Sequence, residues 1–140
     1  MKNFNVFIVG FQKSGTSSLS YYVGQHPCIR GHKSREMSYF VSDREYKREF
    51  SSVFQEYYPD GVDQEQLVLA KSVDVAYVEK AAQRLKEHSP DCKIVMVLRD
   101  PVDRAYSAYW HMRREGWETK ETFEKALDAE EEHKEEDIAL

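Results

Sequence analysis

Several things are scarce in this 140-residue chain, and each scarcity excludes a class. There are two cysteines, Cys28 and Cys92, which form no C-x-x-C pair and are too few for a disulfide framework. They read as small half-buried hydrophobes in a reducing compartment. The five histidines, His26, His32, His88, His111 and His133, lack metal-ligand spacing with the cysteines or with one another, so no metal site is expected. No apolar run approaches the ~18–20 residues of a membrane span. Residues 1–10 hold one Lys and a short apolar run, then enter a Gly/Ser-rich turn without a small-residue cleavage site. The expectation is a cytoplasmic chain with no membrane span and no nucleic-acid partner. Internal repeats are absent, and the only biased segment is acidic.

What is present is enough for one domain. Hydrophobic residues make up 41%, with 9 Tyr, 7 Phe and 2 Trp, which argues against a disordered chain. The net charge is −5, but residues 128–140 hold seven acidic groups and one lysine. The other 127 residues are net +1, so the acidity belongs to a C-terminal helix or tail. It does not argue against an anionic ligand in the body.

Residues 4–9 (FNVFIV) and 93–98 (KIVMVL) are short, nearly continuous apolar runs, as in strands covered on both faces. Residues 67–70 form a third strand, and 28–32 a short extended piece. Helices are expected over 17–25, 43–57, 75–88, 101–114 and 119–137. Pro101 suits a first helical turn, and Pro59-Asp60-Gly61 and Ser89-Pro90-Asp91 are breaks. Strands alternating with helices predict an α/β domain with a mainly parallel sheet, P-loop-like and three-layered. Ligands of such folds sit at the carboxyl ends of strands, and both unusual clusters lie there.

The first cluster is Gly10-Phe11-Gln12-Lys13-Ser14-Gly15-Thr16-Ser17. It fits the phosphate-loop pattern G-x-x-x-x-G-K-[ST] except that Thr16 stands at the lysine position and Lys13 comes three residues earlier. A strand-to-helix loop still offers its N–H groups and the helix dipole to an anion, and Ser14, Thr16, Ser17 and Ser18 add hydroxyls. The plainer alternative is a serine-rich helix start. Asp100, after the strand 93–98, could mimic a magnesium carboxylate, but the adjacent Arg99 makes a metal-free site the better reading. In that reading the loop holds one terminal phosphate and Lys13 neutralises charge at a leaving group.

Residues Gln12-Lys13-Ser14-Gly15-Thr16-Ser17-Ser18-Leu19 resemble the 5′-phosphosulfate loop of sulfotransferases that use 3′-phosphoadenosine 5′-phosphosulfate (PAPS). The likeness is to the heparan-sulfate-type and bacterial carbohydrate or small-molecule branches, and His26-Pro27 is typical of that group. The second cluster runs from Arg99-Asp100-Pro101 through Arg104 to Ser107. By residue type, Arg99 reads either as a phosphate fork at a strand tip or as a surface partner of Asp100 and Asp103. The resemblance implies the former, since R-[DN]-P-x-x-R-x-x-S is the family's 3′-phosphate motif, gripping through Arg99 and Ser107.

On the acceptor side, 33–40 resemble the family's K-E-x-x-[FY]-F segment, which implies Glu36 as general base, held by Lys33 or Arg35. His32 is the alternative base, and a solvated Glu36 is the plain reading. Lys71-Ser72 resembles K-[ST]-P-x-Y without its proline, so Lys71 is an acceptor or sulfate contact or an ordinary strand-end lysine. Tyr106, Tyr109, Trp110 and His111 either pack their helix or offer an aromatic to adenine. The resemblance covers about 4–127, and family domains are roughly twice this long. It therefore implies a partial domain, 1–140, whose sheet edge is covered by an oligomer or by a missing C-terminal half. The implied reaction is sulfuryl transfer to a hydroxyl or amine of a carbohydrate or small-molecule acceptor. A non-catalytic nucleotide-binding fragment and an atypical P-loop kinase stand as alternatives.

Overall fold

The structure, a computed structural model, describes residues 3–34 and 36–138. The chain divides into two compact units, Met1–Leu98 and Arg99–Leu140.

The first unit is an α/β layer structure. Its strands are β1 (Val6–Gly10), β2 (Ile29–Gly31), β3 (Leu67–Lys71) and β4 (Lys93–Val97). They form one sheet in the order β2-β3-β1-β4, and every pairing is parallel. Val6 to Ile8 pair with Leu69 to Lys71 on one side, and Val6 to Gly10 with Lys93 to Val97 on the other. The 4–9 run is apolar because β1 is an inner strand, covered on both faces: Phe7, Ile8 and Val9 are each 3% exposed or less. The 93–98 run, expected to be covered in the same way, is not: β4 is an edge strand, and its Ile94 and Met96 are 52% and 54% exposed.

Helices α1 (Thr16–Val23), α2 (Asp43–Tyr46), α3 (Phe50–Tyr57) and α4 (Glu79–His88) complete this unit. The core joins Phe4, Phe7 and Val9 to Val68 and Ala70 of β3, to Met37, Tyr39 and Phe40, and to Val53, Val75, Ala81 and Leu85 of the covering segments. Phe4 is its hub, with its ring edge-on to Phe7, Phe40 and Phe50 at 5.7–5.9 Å. Such pairs add about 0.5–1.5 kcal/mol each beyond area burial. The Phe4 N–H donates to Ser89 Oγ at 2.9 Å, tying the start of the sheet to the end of α4.

Two expected helices are broken. The 43–57 segment becomes α2 and α3, separated at 47–49, because Glu49 is extended and α3 restarts to turn Phe50 and Val53 inward. Arg48 lies in the bend and pairs with both Glu45 and Glu56. The helix expected from Val75 begins at Glu79, preceded by a 3-10 turn over Asp74–Ala76. The β-branched Val73, Val75 and Val78 are weak helix formers, and Val75 is used as a core residue.

The second unit consists of α5 (Pro101–Arg114) and α6 (Phe123–Ile138). Asp100 caps α5: its Oδ1 accepts the N–H groups of Val102 at 3.0 Å and Asp103 at 3.1 Å. Helix α6 starts four residues later than expected, where Thr122 Oγ1 accepts the Lys125 N–H. Phe123 packs edge-on to Tyr106 at 5.3 Å, and the Tyr109 hydroxyl donates to the Lys120 carbonyl, so these aromatics hold the two helices together. The acidic 128–138 stretch is helical, and 139–140 lie outside the described residues.

Candidate functional site

The carboxyl end of β1 carries the first cluster, and that of β3 carries Lys71. Strand β1 finishes at Gly10 with φ +141°, where a Cβ would stand 2.7 Å from the Val97 carbonyl oxygen of β4. Only glycine permits that approach. The Phe11 carbonyl accepts the Ser14 N–H at 3.1 Å, and Lys13 (φ +69°) and Gly15 (φ +96°) reverse the chain into α1. Lys13 is the one non-glycine with positive φ among the described residues, a conformation that clusters at functional sites. The first ladder bond of α1 is Leu19 N–H to the Gly15 carbonyl, so the N–H groups of Thr16, Ser17 and Ser18 lie outside that ladder. No side chain caps this end, and its first turn holds no acidic residue. The positive end of the helix therefore faces the loop. Ser14 Oγ is buried without a hydrogen-bond partner among the described residues.

Lys71 lies beside this loop at the end of β3. Its side chain is 4% exposed. The ammonium stands 3.1 Å from Ser17 Oγ and 2.5 Å from Glu36 Oε1. The second Glu36 oxygen accepts the Val73 N–H at 2.9 Å, and the Lys71 carbonyl accepts the Met37 N–H at 2.8 Å. Thus a hydroxyl of the loop helix, a buried cation and a carboxylate form one chain of contacts, with Glu36 held at both oxygens. The sequence assigned the holding of Glu36 to Lys33 or Arg35; the structure gives it to Lys71 and the Val73 N–H. Lys33 instead pairs with Asp60 at 2.8 Å, a carboxylate it shares with Arg30. Arg35 lies outside the described residues.

His32 follows β2 and packs edge-on to Tyr57 and Tyr58 at 5.7 and 6.3 Å. Its Nε2 accepts the Lys71 main-chain N–H at 3.0 Å. Burial, reinforced by the Lys71 ammonium, lowers its pKa to about 4. The ring is neutral near pH 7, and its Nε2 lone pair is already engaged. That arrangement is poorly suited to taking a proton from an acceptor. A cleft of about 420 Å³ opens along α1 and the end of β2, lined by Ser17, Tyr21, Arg30, His32, Lys33 and Lys71 among others.

Arg99 and Ser107 belong to the second unit. Arg99 is exposed and immediately precedes the capping Asp100, and Ser107 is half-buried two turns into α5. One oxygen of the Asp100 carboxylate, Oδ1, is used in the helix cap. Among the described residues no group of three or more His, Cys, Asp or Glu is arranged to hold a metal ion. None of the described helices is long and apolar enough to cross a membrane.

Comparison with known proteins agrees with this geometry. The sequence model of the sulfotransferase domain matches residues 4–136. The chain is 31% identical over 106 residues to the membrane-associated sulfotransferase kil1 of Dictyostelium discoideum, covering 75% of this chain and 22% of that protein. It is 32% identical over 112 residues to the mouse (Mus musculus) bifunctional heparan sulfate N-deacetylase/N-sulfotransferase 3, covering 76% and 13%. To the human (Homo sapiens) heparan sulfate glucosamine 3-O-sulfotransferase 6 it is 34% identical over 102 residues, covering 73% and 28%. The crystal structure of a sulfotransferase from Alicyclobacillus acidocaldarius superposes with a TM-score of 0.78 at 34% identity, over 97% of this chain and 60% of that one. The chain thus spans 13–28% of the length of these curated relatives. A family match over nearly its whole length, with a parallel sheet and a tight glycine-bearing loop between β1 and α1, places the chain in the sulfotransferase domain family.

Proposed function

We propose that the chain carries the donor site and the base of a PAPS-dependent sulfotransferase acting on a hydroxyl or amine of a carbohydrate or small-molecule acceptor. The observation that carries this reading is the Ser17–Lys71–Glu36 contact chain, which joins a phosphate loop to a positioned carboxylate.

The loop residues fit the phosphosulfate end of the donor. Ser14 brings a buried hydroxyl with no partner among the described residues, and α1 presents its positive end without a competing acidic residue. Gln12, Lys13, Ser14, Gly15, Thr16, Ser17 and Ser18 would hold that end, and Arg99 with Ser107 the 3′-phosphate. Bound PAPS supplies an electrophilic sulfuryl group on a phosphate leaving group. Lys13 meets negative charge growing on that phosphate, an interaction that strengthens toward the transition state. Glu36 takes the acceptor proton; a positioned carboxylate contributes about 10²–10⁴ in rate. Lys71 holds Glu36 and keeps it beside the loop, and we assign Lys33 and Arg35 to contact with the acceptor.

We place the chain in a reducing, cytoplasmic setting, supported by the unpaired Cys28 and Cys92. The edge strand β4 exposes Ile94 and Met96 by 52% and 54%. We take it to be covered by further chain of the same domain or by a second copy. The test is transfer of labelled sulfuryl from PAPS to a panel of polyhydroxylated and amine acceptors. Transfer by the wild type that is lost in Glu36→Gln supports the reading. Undiminished transfer in Glu36→Gln overturns the role of the carboxylate. Nucleotide binding with no transfer to any acceptor favours a donor-binding piece that does not turn over alone.

A further inference from the structure

The pairing of β2 with β3 stops at Gly31, opposite Leu69. In this parallel ladder the Leu67 N–H donates to the Cys28 carbonyl, and alternate N–H groups of β3 face β2. The next but one is that of Lys71, and a regular continuation would deliver it to the His32 carbonyl. The His32 imidazole takes it instead, through Nε2 at 3.0 Å. Meanwhile the chain turns away, with the Lys33 N–H donating to the Tyr57 carbonyl at 3.1 Å. The residue so fixed is the one whose ammonium joins Ser17 to Glu36. Lys71 is therefore held at its N–H by His32, at its carbonyl by the Met37 N–H, and at its ammonium by the site itself.

We propose that His32 is a positioning residue: its neutral imidazole extends the sheet by one hydrogen bond and so sets where Lys71 places the Glu36 carboxylate against the phosphate loop. This rests on the sulfotransferase reading for its kinetic consequence, though not for its structural one. Protonated Nε2 cannot accept an N–H, so the device works only in the neutral form. The groups facing the ring are consistent with neutrality. They are the Lys71 ammonium on β3, with Glu36 beyond it, and Tyr57 and Tyr58 at the end of α3; the next residue in the chain, Lys33, pairs with Asp60. A second positive charge beside Lys71 would compete for Glu36. The role differs from that of a general base, because the nitrogen in question already holds a main-chain proton donor.

The test compares His32→Gln, whose amide oxygen can accept the same N–H, with His32→Leu, which cannot. Sulfuryl transfer from PAPS is measured alongside hydrogen exchange at the Lys71 amide. The expected result is that His32→Gln stays within about threefold of wild-type turnover, whereas His32→Leu loses tenfold or more in kcat with its KM for PAPS changed less than threefold. The Lys71 amide should be protected in wild type and His32→Gln and exchange faster in His32→Leu. Loss of turnover in His32→Gln with that amide still protected would make His32 a base and overturn the proposal. Wild-type turnover in His32→Leu would overturn it as well. A wild type that transfers nothing counts against the functional reading alone. In that case equal Lys71 exchange in all three proteins overturns the positioning, and selective loss of protection in folded His32→Leu sustains it.

Discussion

The Lys71 ammonium and the Glu36 carboxylate stand 2.5 Å apart, with the lysine side chain 4% exposed and the glutamate 33%. A lysine this deep needs a fixed anion, and Glu36 is the carboxylate that we propose as the base. One ion pair thus serves both stability and the site. Breaking a fully buried pair by removing one partner costs about 3–5 kcal/mol, and partial exposure of Glu36 reduces that figure here.

Lys71→Met should therefore lower both stability and turnover. The expected loss is about 1–3 kcal/mol, a drop of several degrees in melting temperature for a chain of this size. Nucleotide affinity should fall less, because among the described residues Lys71 reaches the loop through the Ser17 hydroxyl. Thermal melts with and without adenosine 3′,5′-bisphosphate measure both effects. An unchanged melting temperature would mean that the pair contributes nothing net.

Lys13→Ala should separate catalysis from binding. A preorganised donor that acts on a developing charge typically contributes about 10²–10³ in rate. Turnover with PAPS should collapse while the product nucleotide binds within about tenfold of wild type. Most of the turnover surviving would reduce the loop to an anion clamp.

Gly10→Ala probes the fold beneath the loop. The added methyl would meet the Val97 carbonyl oxygen at 2.7 Å and nitrogen at 2.9 Å, at a φ of +141°. Both atoms belong to the strand paired with β1, so relief requires separating β1 from β4. Destabilisation of about 2 kcal/mol or more is expected in denaturant melts. By contrast, Gly15→Asn should cost less than Gly10→Ala, since a Cβ there meets open space and only the backbone strain of φ +96° remains.

Stability should fall in mild acid. Burial and Lys71 lower the His32 pKa to about 4, against about 6.5 in an unfolded chain. Between those values the unfolded state binds more protons, so stability is complete above about pH 6.5 and declines as pH falls toward 4. The ceiling for this group is about 3 kcal/mol. His88, lowered chiefly by burial, acts in the same sense. Asp43, held at about 2 by hydrogen bonds from Lys80 and Arg84, loses its contribution only at lower pH. Denaturant midpoints at pH 7 and 4.5 should differ in wild type, and less in His32→Gln. Equal differences would show that His32 does not titrate in this window.

The strands and the loop were legible in the sequence because their causes are local. A doubly covered strand such as β1 is an apolar run, and a tight strand-to-helix loop is a spacing of glycines and hydroxyls within nine residues; that the equally apolar 93–98 run forms an exposed edge strand was not legible, because its place in the sheet is set by the fold. The alternation of strands and helices implies a mainly parallel sheet, and the three pairings formed are all parallel. The break at 47–49 was not legible: the 43–57 periodicity fits one helix, and only tertiary packing makes Phe50 and Val53 restart it. The partner of Glu36 was misassigned for a similar reason. Lys33 and Arg35 are its neighbours in sequence, whereas Lys71 is 35 residues away and comes beside it through the sheet. Residue type makes His32 a candidate base; its main-chain bond to Lys71 depends on where β2 stops, which composition does not reveal.

The central claim is that this chain recognises a nucleotide with phosphates at both ends of its ribose. Calorimetric titration of adenosine 3′,5′-bisphosphate and of AMP, each in metal-free buffer and repeated with Arg99→Ala, tests it most directly. One charge-assisted hydrogen bond contributes about 1.5–3 kcal/mol, so the bisphosphate should bind roughly ten- to hundredfold tighter than AMP. Arg99→Ala should remove most of that difference while the melting temperature holds. Equal affinity for the two nucleotides would contradict the assignment of Arg99 and Ser107 to the 3′-phosphate, and binding of neither would contradict the donor site itself.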